Sequence, residues 1–118
     1  MRMEQARREV PLTVRYRMLR PGLGLVALAG DLTQESAPRL RDALPGFVAS
    51  TPRLAFDVEQ VTFLDTNGLT LLVAARRQAF EHGGDVQVIG PRPMVRKILQ
   101  ITALDQLFPI RDSLNDVI

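Results

Sequence analysis

The 118-residue chain has no cysteine and no tryptophan, and it carries one histidine and one tyrosine. Without cysteine there is no disulfide, no thiol nucleophile and no thiolate metal site, a composition that fits a reducing cytoplasm. The lone histidine, His82, precedes Gly83-Gly84 near a helix C-terminus. With no second soft ligand it reads as a residue at a helix end where the dipole would favour a cation, not as a metal ligand or catalytic base. Aromatic residues make up only 5% of the chain, and 15 basic residues face 13 acidic ones. Mixed charge with so few rings to stack on bases argues against direct nucleic-acid binding. The sequence pI of about 9.9 reflects fourteen arginines against a single lysine, Lys97, and not a strong excess of charge. The longest apolar run, 69–75, is too short to insert into a bilayer. The opening decapeptide MRMEQARREV lacks the apolar centre of a signal peptide. The expectation is a cytoplasmic protein without cofactor.

Catalytic constellations are missing as well. No nucleophile is paired with a base, and no glycine-rich loop cradles phosphate. Gly22-x-Gly24 lacks the third glycine and the helix of a nucleotide loop, so it reads as a hairpin turn. Asp31, Asp57, Glu59 and Asp65 fall in separate turns and read as solvated acids, not a metal site. The chain is expected to be no enzyme.

What is present is one domain with alternating strands and helices. Residues 1–10 are charged and aperiodic, a tail before a domain at 11–118. Residues 12–18 alternate with period two, a half-exposed strand. Pro21-Gly22-Leu23-Gly24 turns the chain into a second strand at 25–29. Leu40, Ala43, Leu44, Phe47 and Val48 predict a helix over about 35–49. Pro38 is tolerated near its start, whereas Pro45 is expected to kink or shorten it. After Ser50-Thr51-Pro52 comes a strand at 54–58 and a second apolar run at 61–64. The turn Asp65-Thr66-Asn67-Gly68 leads to a helix from about Leu69 to about Glu81, with Leu69, Leu72, Val73, Arg76 and Phe80 on one stripe. Gly83-Gly84 stops it. A strand follows at 85–89, a helix opens at Pro93, an edge strand is expected at 108–110, and a helical turn or two fills 112–118. The order β-β-α-β-α-β-α predicts an α/β domain, a mixed four- to five-stranded sheet packed with helices. The opening hairpin leaves one face partly open, and an exposed edge strand is compatible with a weak homodimer.

The β-to-α turn at 65–68 is the chemically distinctive segment. It places one hydroxyl, Thr66, beside one carboxylate, Asp65, at the start of a helix. A phosphate on that hydroxyl would lie where free N–H groups and the dipole favour negative charge. Either Thr66 or Asp65 can equally serve as N-cap. Gly68 indicates a permissive backbone or a close approach, and Asn67 tolerates a left-handed conformation. Arg76-Arg77 reads as a solvated helix face able to meet an acidic partner.

Three segments carry a family resemblance. Ala29-Gly30-Asp31-Leu32 with Ser36-Ala37-Pro38-Arg39-Leu40 resembles a GELD…TAxxL pattern. Phe56-Asp57-Val58 and then Val61 through Leu69 resemble a hydrophobic strand followed by D-S-S/T-G-L. Gly83-Gly84-Asp85-Val86-Gln87-Val88, with Val95 through Leu104, resembles a GGxLxL strand and a VxxxLxxxGL helix. Together they resemble the STAS domain of bacterial anti-sigma factor antagonists, over about residues 12–118.

The resemblance implies partner switching. An antagonist binds an anti-sigma factor that is also a serine/threonine kinase of the histidine-kinase-like ATPase type, and the sigma factor is freed. The kinase phosphorylates the hydroxyl after the turn aspartate, binding is lost, and a phosphatase reverses the step. On this chain the phospho-acceptor is Thr66. The implied contact surface is Asp65, Thr66, Asn67, Gly68, Leu69, Thr70 and Ala74, with Asp31 and Thr33 close by. Four positions depart from the pattern. Thr66 replaces the commoner serine, Asn67 the second hydroxyl of the turn, Thr33 the acid of GELD, and Ala103 the glycine before Leu104. The Thr33 departure also suits a constitutive STAS subunit of a transport or signalling complex. A nucleotide or small-ligand sensor using the same loop is the third reading.

Overall fold

Five strands lie in the order of their sequence, β1-β2-β3-β4-β5, in one mixed sheet. The computed structural model describes residues 9–117. Its strands are β1 (Thr13–Arg20), β2 (Leu23–Leu32), β3 (Arg53–Leu64), β4 (Val86–Ile89) and β5 (Ile110–Arg111). Three helices separate them: α1 (Ala37–Ser50), α2 (Thr66–Glu81) and α3 (Pro93–Ile101). β1 runs antiparallel to β2, and the other pairs are parallel. The expected α/β architecture and element order are therefore present. Most of the expected tail, 1–8, lies outside the described residues. Val10 is tied down: its N–H donates to the Asp31 carboxylate at 2.9 Å, and its carbonyl accepts from the Asp31 N–H at 2.9 Å.

Each parallel step is a β-α-β crossover, and all three helices bury apolar side chains in one core. Leu40, Leu44 and Val48 of α1, Leu72 and Ala75 of α2, and Val95 and Leu99 of α3 meet Val26, Leu28, Phe56 and Val88 of the sheet. Among the described residues, the other face carries a smaller cluster, Leu25, Ala55 and Ile89, under Leu114 and Val117 of the C-terminal segment. That segment holds one short 3₁₀ turn, Leu114–Asp116, where a helical turn was expected. No helix among the described residues is long and apolar enough to cross a membrane.

Several boundaries differ from the sequence reading, for physical reasons. The runs at 54–58 and 61–64 belong to one strand, because β3 is irregular where it passes β2. Ala27 pairs with Asp57 but Ala29 with Gln60, so β3 carries an extra residue and its alternation slips phase there. Pro45 does not shorten α1; the helix runs on to Ser50. Pro45 is exposed, so the Arg41 carbonyl that loses its i+4 donor lies on the solvent side.

The buried stripe of α2 is Gly68, Leu71, Leu72, Ala75 and Ala79, rotated from the expected one. Small residues let this helix sit close on the sheet. Phe80 is 51% exposed, with the Arg76 guanidinium 4.2 Å above its ring. The last strand falls at Ile110–Arg111, two residues later than expected.

Candidate functional site

The loop after β2 and the turn after β3 meet at the C-terminal end of the parallel strands, and one carboxylate joins them. Asp65 Oδ1 accepts the N–H groups of Asn67 at 2.9 Å and Gly68 at 3.1 Å. Asp65 Oδ2 accepts the N–H of Gln34, 31 residues earlier, at 3.1 Å. The Asp65 N–H in turn donates to the Leu32 carbonyl at 3.3 Å. Asp65 has extended backbone (φ −107°, ψ −174°) and is the N-cap of α2. The helix therefore begins at Thr66, three residues before the position expected from the apolar pattern. Polarity at 65–68 marks a capped first turn, not a separate loop.

This geometry settles the two readings of the turn hydroxyl as a cap. Asp65 is the cap, and Thr66 is the first helical residue, exposed to solvent. Among the described residues its hydroxyl forms no hydrogen bond, while its carbonyl accepts from Thr70 Oγ1 at 2.9 Å. Three of the first-turn donors expected to be free are engaged: Asn67 and Gly68 by the Asp65 side chain, and Leu69 by the Asp65 carbonyl at 3.1 Å.

Gly68 answers to a close approach and not to backbone freedom. A Cβ there would lie 2.5 Å from Leu64 Cδ1 and 2.8 Å from the Leu32 carbonyl oxygen. Asn67 is helical, since Ala103 is the one non-glycine residue with positive φ among those described.

The remaining expected residues divide by burial. Asn67 and Thr70 are exposed, and Leu69 and Ala74 are partly exposed. Asp31 is 0% exposed and presents no surface of its own. Its carboxylate holds Val10 and accepts the Thr62 hydroxyl at 2.6 Å, so it supports the loop from beneath. Thr33 is 6% exposed, and its hydroxyl lies 3.0 Å from Glu9 Oε2 and 3.3 Å from Glu35 Oε1. Two carboxylates thus flank the position where Thr33 itself brings no charge. Ser36 completes this corner, accepting from the Thr33 N–H at 2.9 Å and donating to the Asp31 carbonyl at 2.7 Å.

Shallow grooves run along both flanks of the start of α2. One, of about 260 Å³, is lined by Leu69, Val73, Thr102 and Leu104 together with Thr66 and Thr70. The other, also about 260 Å³, lies between α1 and α2 and includes Asn67, Thr70, Arg41 and Arg77. Sequence reasoning missed Gln34, Arg41, Thr102 and Leu104. None lies near the turn in sequence, and only the crossover topology brings them to it. Of the expected pair Arg76-Arg77, Arg76 turns toward the Leu107 carbonyl (3.2 Å) and Arg77 toward the α1–α2 groove.

Comparison with known proteins places this geometry. The family model described as "Mlab, STAS domain" matches residues 20–111. A STAS-domain-containing protein of Pseudomonas aeruginosa is 33% identical over 70 residues, 59% of this chain and 69% of that protein. An anti-sigma F factor antagonist of Paenibacillus polymyxa is 21% identical over 94 residues, covering 78% of this chain and 80% of its own. Among solved structures, an anti-sigma factor antagonist from Mycobacterium paratuberculosis superposes with a TM-score of 0.79 at 30% identity, over 89% of each chain.

Proposed function

Because the chain belongs to the STAS family, with anti-sigma factor antagonists among its relatives, we propose that it is itself an anti-sigma factor antagonist switched by phosphorylation at Thr66. The observation that carries the reading is an unengaged hydroxyl, solvent-exposed, on the first residue of a helix whose entry is fixed by Asp65. A rigid turn with a free acceptor is what a kinase substrate loop needs. The partner is an anti-sigma factor that is also a serine/threonine kinase of the histidine-kinase-like ATPase type. Docking on the exposed start of α2 displaces the sigma factor.

Switching is chemically simple. The Thr66 hydroxyl oxygen attacks the γ-phosphorus of ATP held by the kinase. A P–O bond forms, ADP leaves, and the hydroxyl proton passes to the kinase's base. The product carries roughly −1.5 to −2 additional charge. It stands next in the chain to Asp65, whose carboxylate already reaches across to the Gln34 N–H. The Asn67 and Gly68 amides are already engaged, so the phosphate has to compete with Asp65 for them. An interface closed over this charge would have to desolvate it unpaired, and the complex dissociates. A phosphatase restores the hydroxyl by hydrolysis.

The test is calorimetric binding to the purified kinase partner. Thr66→Glu is expected to weaken binding at least tenfold, while Thr66→Ala binds like wild type and takes no phosphate. Equal affinity of wild type and Thr66→Glu would refute the switch. A constitutive STAS subunit is the second reading, favoured by the absence of an acid at Thr33. It predicts a stoichiometric complex indifferent to ATP and phosphatase.

A further inference from the structure

We propose that the groove between α1 and α2 receives an acidic segment of the partner protein, with Arg41 and Arg77 as its cationic walls. The inference rests on the partner-binding role assigned above to the adjoining start of α2, and it adds the chemistry of the partner's surface.

Arginine pairing in the fold is uneven, and the unevenness is informative. Arg39 donates to the Leu12 carbonyl at 2.7 Å, Arg92 to the Glu59 carbonyl at 2.9 Å and Arg111 to Gln87 at 3.1 Å. Arg53 pairs with Asp85 at 3.7 Å and Arg96 with Asp112 at 3.3 Å. Among the described residues, the guanidinium groups of Arg15, Arg17, Arg20, Arg41 and Arg77 engage no carboxylate, carbonyl or ring. Three of these five follow one another on β1. The other two, from different helices, line the same groove.

The groove's apolar lining is Ala37, Leu71 and Ala74. Among the described residues, no acidic side chain lines it. Its volume of about 260 Å³ suits one or two aliphatic side chains rather than a whole ligand. A guanidinium offers paired, planar donors that match a carboxylate's two oxygens. An aliphatic residue flanked by Asp or Glu therefore satisfies both the apolar lining and the cationic walls. Asn67 and Thr70, which border the same groove, carry it up to the residue beside Thr66. One partner surface can then cover the turn and the groove together. Charge of this kind at an interface acts mainly by steering encounter and fixing orientation, so its effect depends on ionic strength.

Two arms test this. In the first, Arg41→Glu/Arg77→Glu is titrated against the kinase that binds wild type. Affinity is expected to fall about tenfold or more at low salt, with a reduced salt dependence, while Arg15→Glu/Arg17→Glu binds like wild type. Unchanged affinity of the groove variant overturns the inference and leaves the switch at Thr66 standing. In the second, ¹⁵N-labelled protein is titrated with an amphipathic helical peptide whose leucines are flanked by glutamates, and with its Glu→Gln twin. The acidic peptide alone is expected to shift the amides of Arg41, Asn67, Thr70 and Arg77. Shifts confined to β1, or equal shifts from the neutral twin, overturn the inference, as does movement of the groove amides on raising protein concentration, which would make a second copy the occupant. If wild type binds no such kinase, the proposed function fails, and the peptide arm still decides the groove.

Discussion

Removing the Asp65 carboxylate should loosen two loops at once. Asp65→Ala takes away the acceptor for Asn67 and Gly68 and the one that holds Gln34. Loss of an N-cap of this type costs about 1 kcal/mol. The Gln34 link is a solvent-exposed hydrogen bond to a carboxylate, contributing roughly 0.5–1 kcal/mol. The sum is about 1.5–2 kcal/mol, or a drop in Tm of roughly 5–10 °C for a domain of this size. Equilibrium urea unfolding followed by circular dichroism measures the first figure, and amide hydrogen exchange at Gln34 isolates the second contribution. Asp65→Asn separates them. Its amide oxygen still caps α2, but its NH₂ group turned toward Gln34 cannot accept, so about half the loss is expected. Thr66→Ala provides the contrast, because its hydroxyl holds nothing, and a change within about 0.5 kcal/mol is expected. If Asp65→Ala were as stable as wild type, or Thr66→Ala lost as much as Asp65→Ala, the assignment of the cap would be wrong.

Other substitutions probe the supports of the same turn. Gly68→Ala gains about 1 kcal/mol of helix propensity, yet its Cβ meets the Leu32 carbonyl at 2.8 Å, and net destabilisation of roughly 1–2 kcal/mol is expected in chemical denaturation. Tyr16→Phe removes the 2.7 Å hydrogen bond to the buried Thr51 hydroxyl while keeping the ring stacked on Phe47 at 4.7 Å. It should lower stability by about 1 kcal/mol, read from the urea midpoint at unchanged slope. Thr62→Val keeps shape but deprives the fully buried Asp31 of a 2.6 Å donor, and a loss of roughly 1–3 kcal/mol is expected, with faster exchange at Val10 as its local signature.

The architecture was legible in the sequence where pattern and local chemistry agree. Period-two alternation marked β1, Gly83-Gly84 marked the end of α2, and the order of elements implied the mixed sheet. It was hardest to read where a tertiary contact overrides local pattern. The irregular pairing of β3 with β2 splits one strand into two apparent apolar runs. The stripe of α2 misleads because Phe80, the largest apolar side chain near its end, lies outside and pairs with Arg76, while Ala75 and Ala79 lie inside. At the site, the residues of the turn were readable from their types and order. Their division of labour was not, since the role of Asp65 is defined by Gln34 and that of Gly68 by Leu32, both more than 30 residues away in the chain. Arg77 was readable as part of an exposed basic pair, but Arg41 was not, because only the packing of α1 against α2 brings the two into one groove.

The same geometry predicts where a charge on Thr66 acts. Amides from both loops end on one carboxylate, so the entry to α2 is held without help from the neighbouring hydroxyl. That hydroxyl breaks no hydrogen bond when it is modified or replaced. A carboxylate at position 66 also stands in the first turn of the helix, where the dipole favours negative charge by roughly 0.3–1 kcal/mol, offsetting part of its repulsion from Asp65. Thr66→Glu should therefore unfold within about 0.5 kcal/mol of wild type even as it loses its partner. Measured side by side, an unchanged urea midpoint with a weakened complex places the switch on the exposed surface. A midpoint that falls in step with affinity would place it in the fold, and the separation between the Asp65 latch and the Thr66 acceptor would not hold.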